Sequence, residues 1–407
     1  MRRMRWLLLA GLCLLARPVV GDIYEWEWVD PGDLGAGRQA SPALCPDGLG
    51  QTAVPGADLD GLNLTRAYLP ATDLREASFT DSLLPDADLA GADLTEAWCI
   101  GADLSGAWLT GAALPGAFLD NADLSGADLS GADAEGASFW NTDLAAADFT
   151  GAGVRAASLA YATDYGFTAA QLYATASYAS AKDLGDVSLA YNDLAGWDLS
   201  GLAVHDATFA HADLTGADLS GVDATGANFS GGTLAGADLA GAAIGEADFH
   251  DTTAGGFTPD QLYATASYAA GDLAWVGFAM NDLSGWDFSG QDLTSTTFWD
   301  STLAGADFTG ATVLEAGFDR TDLTAAQLYA TASYTAGSLI GIRLVQNDLS
   351  GWDFSGQNLT AADFWGATLA GADFTDAVVP YAWFSHTDLT AAQLYSTASY
   401  AAGNLVS

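Results

Sequence analysis

From Ala57 onward, apolar and polar positions alternate with a period that belongs to neither helix nor strand. In the stretch 87–150, which begins ADLAGADLTEAWCIGADLSG, a large apolar residue returns every five positions. These centres run Leu59, Leu64, Leu69, Leu74, Phe79 and so on through Leu159, almost always with Ala two residues earlier. The residue before a centre is often Asp, and Ser, Thr or Gly follows it. A helix brings its apolar face back every 3.6 residues and a strand every two. A period of five instead suits a chain that turns one corner per unit, with the centre and the small residue two before it facing inward. Leu104, Leu124 and Leu144 are then expected in the interior.

The pentads fall into four tracts separated by a recurring insert. The segments are a tract at 57–166, an insert at 167–183, a tract at 184–256, an insert at 257–272, a tract at 273–322, an insert at 323–338, a tract at 339–388 and a closing insert at 389–407, expected to cap the C-terminal end. The inserts read FTAAQLYATASY, FTPDQLYATASY, LTAAQLYATASY and LTAAQLYSTASY. Each opens with Thr168, Thr258, Thr324 or Thr390, followed three residues later by Gln171, Gln261, Gln327 or Gln393. That spacing is a capping box, and Pro259 sits where a first helical turn accepts proline. Gly271, Gly337 and Gly403 supply stops. The Ala-rich interior predicts one helix of about three turns, with Leu262 and Ala266 sharing a face that packs on the repeats. Trp197, Trp286 and Trp352 stand at a fixed offset after the first three inserts, in the slot two before a centre. A Trp overfills that slot, so the coil is expected to open there and the indole to pack beneath the preceding helix.

The A(D/N)LXX pattern resembles the pentapeptide-repeat family over most of residues 57–389. The resemblance implies an all-β solenoid, a right-handed quadrilateral β-helix with four pentads and 20 residues per coil, here interrupted by short α-helical inserts. The physics agrees with the residue choice. A narrow square interior admits one large side chain per face, and stacked coils spaced about 4.8 Å apart bury a core that no single unit could.

Residues 1–21 read as a signal peptide: Arg2, Arg3 and Arg5, an apolar run from Trp6 to Leu15, then Val19-Val20-Gly21. The run is too short to span a bilayer, so export to the periplasm or beyond is expected, without stable membrane insertion. Residues 22–56 contain no pentads. Trp26 and Trp28 alternate with Glu25 and Glu27, which predicts a short strand in an N-terminal cap.

Over its 407 residues the chain carries a formal charge of −41, with 52 acidic residues. Loss of the leader removes four arginines and deepens the charge to −45. Such a surface repels nucleic acid and attracts cations and basic partners. Of the mature cysteines, Cys99 stands at a centre as a small hydrophobe, and its pairing with Cys45 is left open.

Residues 20 apart should share a wall. Asp103, Asp123 and Asp143 then form one carboxylate ladder, and Asp198, Asp218 and Asp238 another. Like charges so spaced raise carboxyl pKa values or recruit divalent cations weakly, whereas Asp at turns also satisfies backbone groups. Trp98 stacks over Phe118 as an exposed aromatic pair suited to a carbohydrate or a partner. No metal-ligand spacing involves His205, His211, His250 or His386, and no nucleophile elbow or phosphate loop occurs. The expectation is therefore a non-enzymatic protein without cofactor, a structural or interaction module for a protein or cell-envelope partner. The resemblance also implies an alternative, since some cytoplasmic members are DNA mimics whose acidic solenoids fill the DNA site of gyrase. This chain shares their repeat and charge but departs in its export signal and inserts, which favours the interaction module.

Overall fold

A computed structural model describes residues 21–405; apart from Gly21, the expected signal segment lies outside them. The chain divides into two compact units, one running to Ala181 and one beginning at Lys182. In both, the pentads build a solenoid whose ladder is set by residues 20 apart, all paired in parallel: Asp88 with Trp108, Trp108 with Asp128, Asp198 with Asp218.

The local reason is visible in any one unit. The amide of Ala92 donates to the Leu89 carbonyl at 2.9 Å, closing a four-residue turn. The third residue of that turn, Gly91, has φ 66°, as a type II turn requires. Between turns the Leu89 amide reaches forward to Trp108 O at 2.8 Å, and the Asp88 amide reaches back to Ala67 O at 2.7 Å. Each unit therefore bonds to the coil on either side, and Leu104, Leu124 and Leu144 are buried as the pattern predicts. The extended stretches are only a residue or two long, so pairing appears as single bridges rather than continuous strands.

The first unit opens with an antiparallel hairpin, β1 (Tyr24–Trp28) and β2 (Arg38–Leu44). Its first strand lies along the coil edge, with Trp26 N donating to Arg66 O at 2.9 Å and Tyr68 N to Tyr24 O at 2.8 Å. Trp26 is buried. Its indole donates to Asp86 O at 2.7 Å and meets Trp108 edge-on at 5.0 Å. Cys45 and Cys99 are both buried free thiols, and burial pushes the thiol of each up to about 12.

The inserts differ from the single helix that composition predicts. Each is two short elements: α1 (Ala169–Ala174) followed by a π-turn at Ser177–Ala181, α2 (Pro259–Tyr263) with α3 (Ala266–Ala270), α4 (Ala325–Tyr329) with α5 (Ala332–Thr335), and α6 (Ala391–Tyr395) with α7 (Ala398–Ala401). The break is made by a threonine. Thr265 is extended at ψ 152°, and its hydroxyl accepts from Tyr268 N at 3.1 Å, starting a new helix; Thr331 and Thr397 do the same. Leu262 and Ala266 therefore lie on different helices rather than on one shared face. Leu262 alone is fully buried.

Within the second unit the solenoid passes through its inserts. Asp248 pairs with Gly277 and Gly317 with Arg343, so the ladder resumes after the longer loop. The coil does not open at Trp286, contrary to the sequence expectation. Its amide makes the ordinary turn bond to Leu283 O at 3.1 Å, and Phe288 N reaches Asp307 O at 2.8 Å. Space exists because an insert, not a coil, precedes this turn. The buried indole meets Phe257 at 5.5 Å, and Trp352 likewise meets Tyr329 at 6.4 Å. Trp197 is also buried.

Candidate interaction faces

Outward chemistry is carried by the residue before each centre and by the left-handed corner residue two after it. The Asp ladders lie on the first of these positions. Asp103 pairs with Asp123 and Asp123 with Asp143 in the first unit, and Asp198, Asp218 and Asp238 follow suit in the second. Their carboxylates turn inward on their own corners. Asp123 accepts from Ser125 N at 2.8 Å, Asp143 from Ala145 N at 2.9 Å, Asp218 from Ser220 N at 2.9 Å and Asp238 from Ala240 N at 2.8 Å. Asp103 accepts both the amide and the hydroxyl of Ser105, at 3.0 and 2.6 Å.

These bonds change the electrostatics. Like-charge stacking predicts raised pKa values, yet the Ser200 hydroxyl and amide bonded to Asp198 hold its carboxyl below the usual range. Donation to a carboxylate favours its charged form. Asp282, Asp307, Asp348 and Asp373 are lowered by the same Ser or Thr two residues on. Among the described residues, no group of three or more His, Cys, Asp or Glu is placed to hold a metal ion. No helix there is long and apolar enough to cross a membrane.

The aromatic pair stands as the ladder spacing predicts. Trp98 and Phe118 pair directly, their ring centroids 4.9 Å apart and their side chains exposed. Glu76 and Glu96, which pattern reading passed over, line the same groove from the corner positions. The only signal for them was their place two residues after a centre and 22 before the aromatics.

Two further arrangements were not legible in advance. The capping-box glutamine has a second duty: while Gln261 Oε1 accepts from the Thr258 amide at 2.8 Å, its Nε2 donates to Leu234 O and Ala237 O at 2.7 and 2.8 Å. Gln171, Gln327 and Gln393 do the same to Leu144 and Ala147, Leu303 and Ala306, and Leu369 and Ala372. The insert thus satisfies the Ala147, Ala237, Ala306 and Ala372 carbonyls, which a following coil would otherwise bond, and adds a second donor to the centre's carbonyl. In the inserts at 257–272 and 323–338 two tyrosines then grip the next coil. Tyr263 and Tyr268 pack at 4.7 Å; the hydroxyl of Tyr263 accepts from Asp287 N, and that of Tyr268 donates to Asp287 O at 3.0 Å. Tyr329 and Tyr334 hold Asp353 in the same way.

A family model recognises the same repeat. The family model for pentapeptide repeats matches in eight copies, at residues 49–81, 72–111, 87–126, 102–141, 122–159, 205–241, 281–310 and 338–376. Similar solved structures include a pentapeptide repeat protein from the Arabidopsis thaliana thylakoid lumen, 33% identical over 23% of this chain and 70% of that one, with a TM-score of 0.20. QnrB1, a plasmid-mediated fluoroquinolone resistance protein, is 18% identical over 54% of this chain and 89% of its own, at a TM-score of 0.26. HetL of the cyanobacterium Nostoc sp. strain PCC 7120, a pentapeptide repeat protein involved in heterocyst differentiation regulation, is 24% identical over 64% of this chain and 87% of its own, at 0.14. No curated protein matches.

Proposed function

Because the chain belongs to the pentapeptide-repeat family, we propose that it is an exported, non-enzymatic acidic module that presents rigid charged faces to a basic protein or cell-envelope partner. The right-handed, four-sided path that the family implies is part of this reading. The observation that carries it is the placement of charge. Asp side chains line the outer walls in register, and bonds to their own turns hold Asp198 and Asp307 ionised. A rigid array of like charge steers oppositely charged partners and sets the orientation of encounter. The leader-like residues 1–21 support export, and the acidic walls argue against nucleic acid as partner.

Two measurements test this together. Cell fractionation with N-terminal sequencing should find the protein outside the cytoplasm, beginning near Asp22. Protein recovered there should retain basic partners at low ionic strength and release them at high. A cytoplasmic protein with an intact N-terminus would instead revive the DNA-mimic alternative.

A further inference from the structure

The first unit contains its own example of how a basic side chain is captured. Asp88 and Trp108 are neighbours in one ladder. Arg38, arriving from β2, lays its guanidinium 3.9 Å from the centre of the Trp108 ring and donates to Asp88 at 2.7 and 3.3 Å. One carboxylate and one indole thus hold an arginine that comes from outside the coils.

Two pentads further along the coil the same ingredients recur in larger measure. Trp98 and Phe118 meet with their rings tilted by 37°, and 48% and 37% of their surface is exposed. Beside them Glu76 and Glu96 follow one another at the corners, both exposed and both with left-handed backbone, φ 58° and 56°. These four side chains, with Gly116, line a groove of about 570 Å³. Among the described residues neither glutamate forms an ion pair.

Resting on the interaction reading above, we infer that this groove is the docking site for an extended, arginine-bearing segment of a basic partner. A guanidinium stacks on the Trp98 and Phe118 faces and bonds the carboxylates of Glu76 and Glu96. Stacking and forked donation are both properties of arginine, and lysine supplies neither as well. Charge selects the same occupant: the groove offers two carboxylates and no cation, within a chain of net charge −41. A neutral glycan would stack on the rings but leave that charge without a counterpart.

The test titrates the whole mature protein with an acetylated, amidated Gly-Ser-Arg-Arg-Ser-Gly peptide near physiological salt, following tryptophan fluorescence and calorimetric heat. A peptide with citrulline in place of both arginines keeps the shape and removes the charge. We expect Glu76→Gln with Glu96→Gln, and separately Trp98→Ala, to weaken arginine-peptide binding about tenfold or more, with unchanged melting temperatures. Asp198→Asn with Asp218→Asn in the second unit should leave it within twofold. Equal loss from the Asp198 and Asp218 changes, indifference to the Glu76 and Glu96 changes, or equal binding of the citrulline peptide would overturn the inference. So would binding of cellohexaose in place of the arginine peptide. Salt-sensitive retention of basic partners that persists in the Trp98→Ala protein would sink this groove while leaving the interaction module standing.

Discussion

The two units solve one problem, closing the open edge of a coil, in different ways. At its start the first unit lays a hairpin along the coil edge and pins it with Arg38 on Asp88 and Trp108. The second unit interrupts its own stack twice and heals each gap with a helix pair, a glutamine and two tyrosines. The interiors differ too. Leucine fills most centres of the first, while the second stacks phenylalanines: Phe209 on Phe229 at 5.2 Å and 6°, Phe298 on Phe318 at 5.1 Å and 7°, Phe364 on Phe384 at 5.1 Å and 3°. The comparison teaches that uninterrupted pentads need only backbone pairing and a filled interior. An interruption replaces some lost coil bonds with the insert's own backbone, as Gly241 N to Ala264 O and Ala266 N to Ala242 O, and others with side-chain atoms. The first unit makes the same repair at its own insert through Gln171, so the device belongs to the insert and not to the unit.

Substitutions at the two kinds of closure should separate them. The largest loss is expected for Trp286→Ala, about 3–5 kcal/mol as for other buried aromatics, measured by denaturant unfolding of the second unit's transition. A loss below about 1 kcal/mol would show that the indole does not seal the junction. Arg38→Ala should cost about 3 kcal/mol, because it leaves Asp88 buried without its partner. Arg38→Ala with Asp88→Asn should recover part of that loss, which distinguishes charge burial from lost packing. Gln327→Ala and Gln171→Ala should each cost about 1–3 kcal/mol by stranding one carbonyl, that of Ala306 or Ala147, while Leu303 O and Leu144 O keep their turn bonds. A loss at only one of the two would break the equivalence of the inserts.

Two smaller effects concern pH. Burial raises Tyr268 and Tyr334 from an ordinary 10.0 to about 12, with Asp287 and Asp353 adding to the shift. A raised folded value favours the protonated form, so the grip on the next coil is complete below pH 10.0 and is lost as pH approaches 12. Ultraviolet titration should show these phenols ionising last, together with the second unit's loosening. Least in size, Ser200→Ala should let the Asp198 carboxyl rise toward its ordinary value, readable by carboxyl NMR titration. The lowered value means that this bond contributes stability above the ordinary carboxylate pKa, lost as pH falls through the folded one.

Much of this was legible because a period of five leaves little freedom. Leu104, Leu124 and Leu144 had to lie inside, Trp98 had to stand over Phe118, and Thr258 with Gln261 had to start a helix. What escaped notice depended on distance in the chain rather than pattern. That Gln261 also bonds coil carbonyls 24 and 27 residues earlier is fixed by how the insert docks. The break at Thr265 was hidden because helix propensity favoured continuing through Ala, while the threonine hydroxyl could satisfy Tyr268 N only once the chain turned extended. The Asp ladders could be read as repelling charge or as turn caps, and the bonds to Ser200 decide for the cap at Asp198. The groove partners Glu76 and Glu96 stand at corner positions, where the period of five fixes place but not residue type.

The account is tested most directly by residue-resolved amide hydrogen exchange across 77–141. In each of these pentads four amides bond to backbone, whereas the position after the centre makes no backbone bond: at Ala90 or Ser125 the amide reaches an Asp side chain, and at Pro85 and Pro115 there is none. Every fifth amide should therefore exchange quickly between four that are protected. Protection returning every three to four residues, or uniformly fast exchange, would contradict a coil of 20 residues.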